Sequence, residues 1–117
     1  MKESGEMYLE NLLILSKEKG EVRAVDIAEN MGYSKPSISR ALKILREEGY
    51  VDVDKNGFIT FKEKGKVLAE KIYERHQVLS KLFIKIGVDE ETAIADACKI
   101  EHDISDKTFN IIKKFID

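Results

Sequence analysis

The stretch VRAVDIAENMGYSKPSISRALKILREEGYVDVDKNGFITF, residues 22–61, decides the fold. Within it Asp26, Ile27, Ala28 and Met31 have the spacing of a short helix, and Gly32 supplies the residue type that ends one. Ser34 is a natural N-cap for a second helix, with Pro36 in its first turn. Two short helices joined by a three-residue turn containing glycine make a helix-turn-helix. After Gly49 the pattern changes: Val51 and Val53 alternate with acids, Asn56-Gly57 marks a turn, and Phe58, Thr60 and Phe61 flank a second strand. A helix-turn-helix followed directly by such a hairpin is the winged-helix arrangement. A generic small α+β core is the alternative that local pattern leaves open.

Outward from this stretch the chain is helical. MYLENLLILSKEKGE, residues 7–21, has apolar residues at helical spacing and a lysine-rich last turn before Gly20, predicting a first helix over about residues 6–19. A long helix is expected from Glu63 to Ile86, with Leu68, Ile72, Leu79, Leu82, Phe83 and Ile86 on one stripe. Gly87 ends it, Asp89 caps the next helix with Glu90 and Glu91 in its first turn, and Ser105 caps the last, DKTFNIIKKFI. The fold class is therefore mainly α with a small β-hairpin. It divides into a winged helix-turn-helix domain at residues 1–62 and a helical domain at residues 63–117.

The bulk properties restrict the function. A chain of 117 residues is long enough for an apolar core without disulfides, and its single cysteine, Cys98, has no internal partner. No apolar run approaches the roughly 18 residues that span a bilayer, and no basic-then-apolar leader is present, so a soluble cytoplasmic protein is expected. The net charge of −2 does not by itself announce a nucleic-acid partner, but its distribution does. SKPSISRALKILR, residues 34–46, carries Lys35, Arg40, Lys43 and Arg46 with no acid, whereas residues 87–117 hold eight acids against four lysines. At the start of a recognition helix, Lys35, Pro36, Ser37, Ser39 and Arg40 are the side chains that reach base edges in a major groove. Arg40 suits a paired hydrogen bond to guanine, and Lys43 and Arg46 suit phosphates. Lys55 and Asn56 of the wing are candidates for the DNA backbone. An ordinary solvated helix face is the competing reading of the four charges.

Polar residues at core positions suggest a second kind of chemistry. Cys98, Glu101 and His102 stand at i, i+3 and i+4, so on a helix they share one face. That pattern serves either a metal site or a buried thiol beside an exposed Glu-His pair. His76 lies at the middle of the apolar stripe of the long helix, and Glu10 lies three residues after Met7 and four before Ile14 on the first helix. Burying such groups without partners costs about 1–3 kcal/mol each, and three helices each bringing potential ligands inward favour a metal.

The run from EMYLENLL through the winged helix to ERHQVLSKLF and DACKIEHDISD resembles the diphtheria toxin repressor (DtxR/MntR) family of iron- or manganese-dependent transcriptional regulators. The resemblance implies that Met7, Cys98, Glu101 and His102 correspond to the primary metal site of iron-type members, and His76 to a histidine of their second site. Glu10 is shared with manganese-type members, which have carboxylates where this chain has Met7 and Cys98. Further second-site ligands of iron-type members fall at Ser80 and Ile94, which cannot replace them, and Glu10 with His76 is the candidate for a different second site. It also implies that residues 63–117 bind metal and form a homodimer through the C-terminal helices, placing two recognition helices on a palindromic operator of metal-homeostasis genes. Phe109, Ile112, Phe115 and Ile116 form an apolar stripe suited to a dimer or to the core.

Thioether and thiolate sulfur are poor partners for hard Mn²⁺ and better ones for Fe²⁺, so Fe²⁺ is the expected activator and Mn²⁺ the alternative. Co²⁺, Ni²⁺ and Zn²⁺ are expected to substitute in vitro. A metal held by ligands from the first helix and the later ones would select one placement of the recognition helices, and DNA would tighten metal binding in return. The principal rival is a winged-helix regulator that senses a small molecule or redox state instead of metal. A metalloenzyme using Glu101 as base is a further one, against which stands the lack of any nucleophile constellation or phosphate-cradling glycine loop.

Overall fold

The computed structural model of the chain describes residues 3–116. Its elements are α1 (Glu3–Lys19), α2 (Ala24–Met31), α3 (Lys35–Glu47), β1 (Val51–Val53), β2 (Ile59–Phe61), α4 (Glu63–Lys85), α5 (Glu90–Ile100) and α6 (Asp106–Ile116). They fall into two compact units that divide between Glu70 and Lys71, within α4.

In the N-terminal unit each helix end is made by a local device. Gly32 adopts the left-handed conformation with φ 70°, which a side chain would strain, and its N–H bonds the Ala28 carbonyl to close α2. Two residues on, the Ser34 hydroxyl accepts the Ser37 N–H and opens α3, with Pro36 in the first turn. The turn between the helices is therefore fixed at both ends. α2 packs against α1 and α3, and α1 against α3. Tyr8, Leu9, Leu12, Val22, Ile27, Ile38, Leu45, Val51 and Ile59 are buried, so the apolar faces of three helices and the hairpin share one core.

The hairpin pairs β1 with β2 antiparallel, Val51 opposite Phe61 and Val53 opposite Ile59. Asp54 organises its tip, accepting the N–H groups of Asn56 at 2.8 Å and Phe58 at 3.0 Å. The Ile59 N–H bonds the Val22 carbonyl at 2.8 Å, tying the wing to the entry of α2, and the Arg23 guanidinium lies 4.4 Å above the Phe58 ring.

The start of α4 is locked onto the corner between α3 and β1. The Lys62 N–H bonds the Tyr50 carbonyl, Lys64 Nζ bonds the Glu48 carbonyl at 3.1 Å, and the same ammonium lies 4.1 Å from the Tyr50 ring centre. Gly65 makes this possible, because a Cβ there would stand 2.0 Å from the Tyr50 carbonyl oxygen.

Several expectations are corrected. α1 begins at Glu3 instead of about residue 6. Ile86 lies beyond α4 and is exposed, since the chain leaves the helix at Gly87, φ 108°. In the C-terminal unit Asp89 and Ser105 cap α5 and α6 as expected, accepting the N–H groups of Thr92 and Thr108. The proposed dimer stripe divides: Phe109 and Ile116 are buried, while Phe115 is 75% exposed and Ile111, outside the stripe, is exposed as well.

Two predictions follow from these packing contacts. Gly65→Ala exchanges a poor helix former for a good one, a gain of about 0.5–1 kcal/mol, but the overlap with Tyr50 forces the backbone apart and costs about 1–3 kcal/mol or more. The variant should therefore unfold at lower urea than the parent; an equal or higher midpoint contradicts the close approach. Asp26 is held below the ordinary carboxylate range, first by the hydrogen bond from Lys19 at 2.7 Å and then by the Arg23 N–H. A depressed native pKa contributes stability above the unfolded value, ~3.9, and loses it as pH falls through the native one. Asp26→Asn should thus cost up to about 1 kcal/mol at pH 7, with the difference from the parent vanishing in acid titrations of unfolding.

Candidate metal centre and nucleic-acid interface

The basic helix comes first because it is the simpler surface. Lys35, Pro36, Ser39, Arg40, Lys43 and Arg46 are all exposed along α3, while Ile38 and Leu45 hold its opposite face in the core. Ser37 differs from these exposed neighbours. It is half-buried, receives a hydrogen bond from the Ser34 hydroxyl at 2.9 Å and one from Arg40 at 3.3 Å, so it orients the cap and the arginine. Lys55 and Asn56 are exposed at the tip of the wing.

Two further residues lie beside this helix. Tyr33, in the turn immediately before the recognition helix, is exposed despite its ring. Lys62 joins Lys43 and Arg46 around a recess of about 330 Å³, whose wall also carries Glu47 and Asp52. The signal for Lys62 was available in its position, the first residue after β2.

The C-terminal unit holds the other constellation. α5 ends at Ile100, one residue before the expected ligand pair, so Cys98 lies on the helix whereas Glu101 and His102 lie in the turn that follows it. Glu101 nevertheless keeps helical angles, φ −60° and ψ −24°, which preserves its i+3 relation to Cys98. The residue is 1% exposed and its carboxylate has no exposed surface. His76 Nδ1 stands 2.8 Å from Glu101 Oε2, and His102 Nε2 stands 3.4 Å from Oε1. Oε1 is buried and accepts no hydrogen bond among the described residues.

The expected convergence is thus partial. His76 and Glu101 offer ligand atoms within 4.8 Å of one another, but neither Cys98 nor His102 completes a three-residue cluster with them at that distance among the described residues. Cys98 is half-buried. In the N-terminal unit Glu10 is 6% exposed and Met7 half-buried, one turn apart on α1. Nearby on the same helix, the Tyr8 hydroxyl is buried without a hydrogen-bond partner among the described residues, and burial raises its phenol above the ordinary range.

The donor set suits a divalent cation. A buried carboxylate costs several kcal/mol to desolvate unless positive charge or donors compensate it, and Oε1 of Glu101 lacks a donor. Imidazole and carboxylate beside each other are ligands that Fe²⁺, Mn²⁺ and Zn²⁺ all accept. The second-site positions tell a different story. His76, Ser80 and Ile94 do line one recess of about 360 Å³, together with Gln77, Lys81 and Ile84. The Ser80 hydroxyl is buried without a hydrogen bond among the described residues, and Ile94 supplies no donor, so His76 is the only strong metal ligand on that wall.

One buried cation escaped detection by sequence pattern. Arg75 is 7% exposed, and its guanidinium bonds the carbonyls of Glu101 and Ile104 and the carboxylate of Asp106. It stands three residues after Ile72 and four before Leu79, a core spacing as good as that of His76. No helix among the described residues is long and apolar enough to cross a membrane.

Comparison with known proteins places the chain in a family. Residues 1–58 match the family described as iron dependent repressor, N-terminal DNA binding domain, and residues 62–117 match iron dependent repressor, metal binding and dimerisation domain. The transcriptional regulator MntR of Escherichia coli O6:H1 is 32% identical over 92% of this chain and 70% of its own length. An HTH-type transcriptional regulator of Methanocaldococcus jannaschii is 31% identical over 100% of this chain and 95% of its own. The structure of the manganese regulator SloR superposes with a TM-score of 0.86 at 27% identity, over 99% of this chain, which spans only 54% of that protein. The chain belongs to the diphtheria toxin repressor and MntR family, a group of metal-dependent DNA-binding transcriptional regulators and not of enzymes.

Proposed function

We propose that the protein is a repressor that binds palindromic operator DNA as a homodimer when Fe²⁺ occupies a site built around Glu101, and so controls metal-homeostasis genes in the cytoplasm. The observation that carries this reading is the buried Glu101 carboxylate, with His76 and His102 directed at its two oxygens and Oε1 lacking a hydrogen bond among the described residues. A divalent cation supplies the missing positive charge. Glu101, His102 and Cys98 are the proposed primary ligands with Met7, and Glu10 and His76 the proposed further ones. Residues 1–62 are assigned to DNA reading and residues 63–117 to metal binding and dimerisation, with exposed Phe115 on the dimer face.

Two sulfur-bearing residues in the proposed set support Fe²⁺ over Mn²⁺, since a hard cation gains little from thioether or thiolate. A solved relative named as a manganese regulator makes Mn²⁺ the second reading. Lys35, Pro36, Ser37, Ser39 and Arg40 are assigned to the major groove, and Lys43 and Arg46 to phosphates. Because metal and DNA favour the same conformation, each should raise affinity for the other by an equal factor.

Anaerobic operator binding in buffered free metal tests the assignment. Binding should appear with Fe²⁺ at lower free concentration than with Mn²⁺, and Zn²⁺ should also activate; a reversed order of Fe²⁺ and Mn²⁺ sinks the iron assignment, and binding indifferent to chelator sinks metal dependence altogether. Cys98→Ala should weaken activation by Fe²⁺ more than by Mn²⁺ while the circular dichroism of the metal-free chain stays unchanged. On the DNA side, Arg40→Ala should cost about 1–3 kcal/mol and relax base preference at one position of each half-site. Lys43→Ala should weaken all sequences alike and lower the salt slope by about 1, and the opposite assignment of these two effects would reverse their roles.

A further inference from the structure

The turn that carries Glu101 and His102 continues from α5 through one helical bond, the Glu101 N–H to the Ala97 carbonyl at 3.0 Å. α5 ends at Ile100 and α6 begins at Asp106, and the backbone between them is secured internally by the N–H groups of Asp103 and Ile104, both bonded to the Ile100 carbonyl at 3.0 and 3.2 Å. Arg75 fastens the backbone of this segment to α4. Its Nη1 group donates to the Glu101 carbonyl at 3.2 Å and to the Ile104 carbonyl at 2.5 Å, so one nitrogen bridges both ends of the turn. Nη2 reaches the Asp106 carboxylate at the first turn of α6, where Lys71 also lies 3.1 Å away.

The guanidinium is well suited to this task. It is 7% exposed, its central carbon lies 5.4 Å from the Phe109 ring centre, and both terminal nitrogens are hydrogen-bonded, while Nε is buried without a partner among the described residues. A planar fork can satisfy two carbonyls and a carboxylate at once, whereas an ammonium offers one compact charge on a flexible stem. The next residue, His76, meets the same glutamate from the side-chain end, with Nδ1 2.8 Å from Oε2. Consecutive residues of α4 therefore grip Glu101 by its backbone and by its carboxylate.

We infer that Arg75 is a positioning residue for metal binding: by bridging the Glu101 and Ile104 carbonyls and the Asp106 carboxylate, it fixes the direction in which Glu101 and His102 present their ligand atoms. This rests on the metal-site reading given above. Arg75 itself touches no metal, because a guanidinium has no acceptor to offer one. Its contribution is that Glu101 and His102 need not be ordered when the cation arrives, and losing such outer partners typically weakens metal affinity about 10–100-fold.

The test uses the full chain, its Arg75→Lys variant and its Asp106→Asn variant, with Mn²⁺ affinity by calorimetry, Fe²⁺ affinity by chelator competition, and amide hydrogen exchange on the metal-free proteins. Arg75→Lys should bind both metals about 10–100-fold more weakly. The Asp103 and Ile104 amides should exchange faster in this variant before any metal is added, while buried amides of α3 are unchanged. Asp106→Asn, which keeps both carbonyl bonds, should show a smaller loss of the same kind. Should Arg75→Lys fail to fold, Asp106→Asn decides by the same two readouts. A variant that loses thermal stability alone, with parental metal affinity, marks Arg75 as merely structural and overturns the inference. Parental uptake of metal with unchanged affinity and exchange in Arg75→Lys overturns it too, while leaving the metal-site reading intact. Failure of the parent chain to take up either metal sinks both.

Discussion

A carboxylate with no exposed surface has to be matched by charge or by donors, and that requirement organises the C-terminal unit around Glu101. The unit answers it from two directions. His76 meets one oxygen, His102 approaches the other, and Arg75 secures the backbone from which the side chain springs. None of these groups is needed to fill a hydrophobic core: Ile72, Leu79, Ala93, Ala97 and Phe109 already do that. An apolar residue in place of Glu101 would fit such a core more cheaply. The polar arrangement is what the proposed cation would require.

The N-terminal unit obeys a different economy. Its recognition helix is presented by devices at its ends, the Ser34 cap and the left-handed Gly32, while Ile38 and Leu45 anchor its buried side. The exposed face is left free for Lys35, Ser39, Arg40, Lys43 and Arg46. A net charge of −2 is compatible with this because the acids are concentrated elsewhere in the chain. Local charge, and not the total, governs what a surface attracts within a Debye length of about 8–10 Å.

Much of this was legible in the sequence, for reasons that differ by residue. Ser34, Asp89 and Ser105 could be assigned as caps because a cap is a local event, completed within three residues. The winged helix was equally visible, since a change from helical to alternating periodicity at Gly49 has few other solutions. Arg75 was invisible because arginine at a core spacing is ordinarily assumed to snorkel, and its true partners lie 26 and 29 residues downstream. The end of α5 was missed for the opposite reason. Glu101 retains helical angles, so nothing in the spacing of Cys98, Glu101 and His102 betrays that the last two have left the helix. Ile86 and the split stripe of α6 show that periodicity identifies an apolar face without saying how much of it the chain itself covers.

The close approach of Gly65 to the Tyr50 carbonyl bears on how such a protein can be taken apart. Because Lys62, Lys64 and Gly65 all engage the corner between α3 and β1, the opening of α4 is structurally part of the unit that carries the recognition helix. A fragment that keeps the whole N-terminal unit runs to Glu70, and a chimera joined immediately after the wing would lose the contacts of Lys62, Lys64 and Gly65 with that corner.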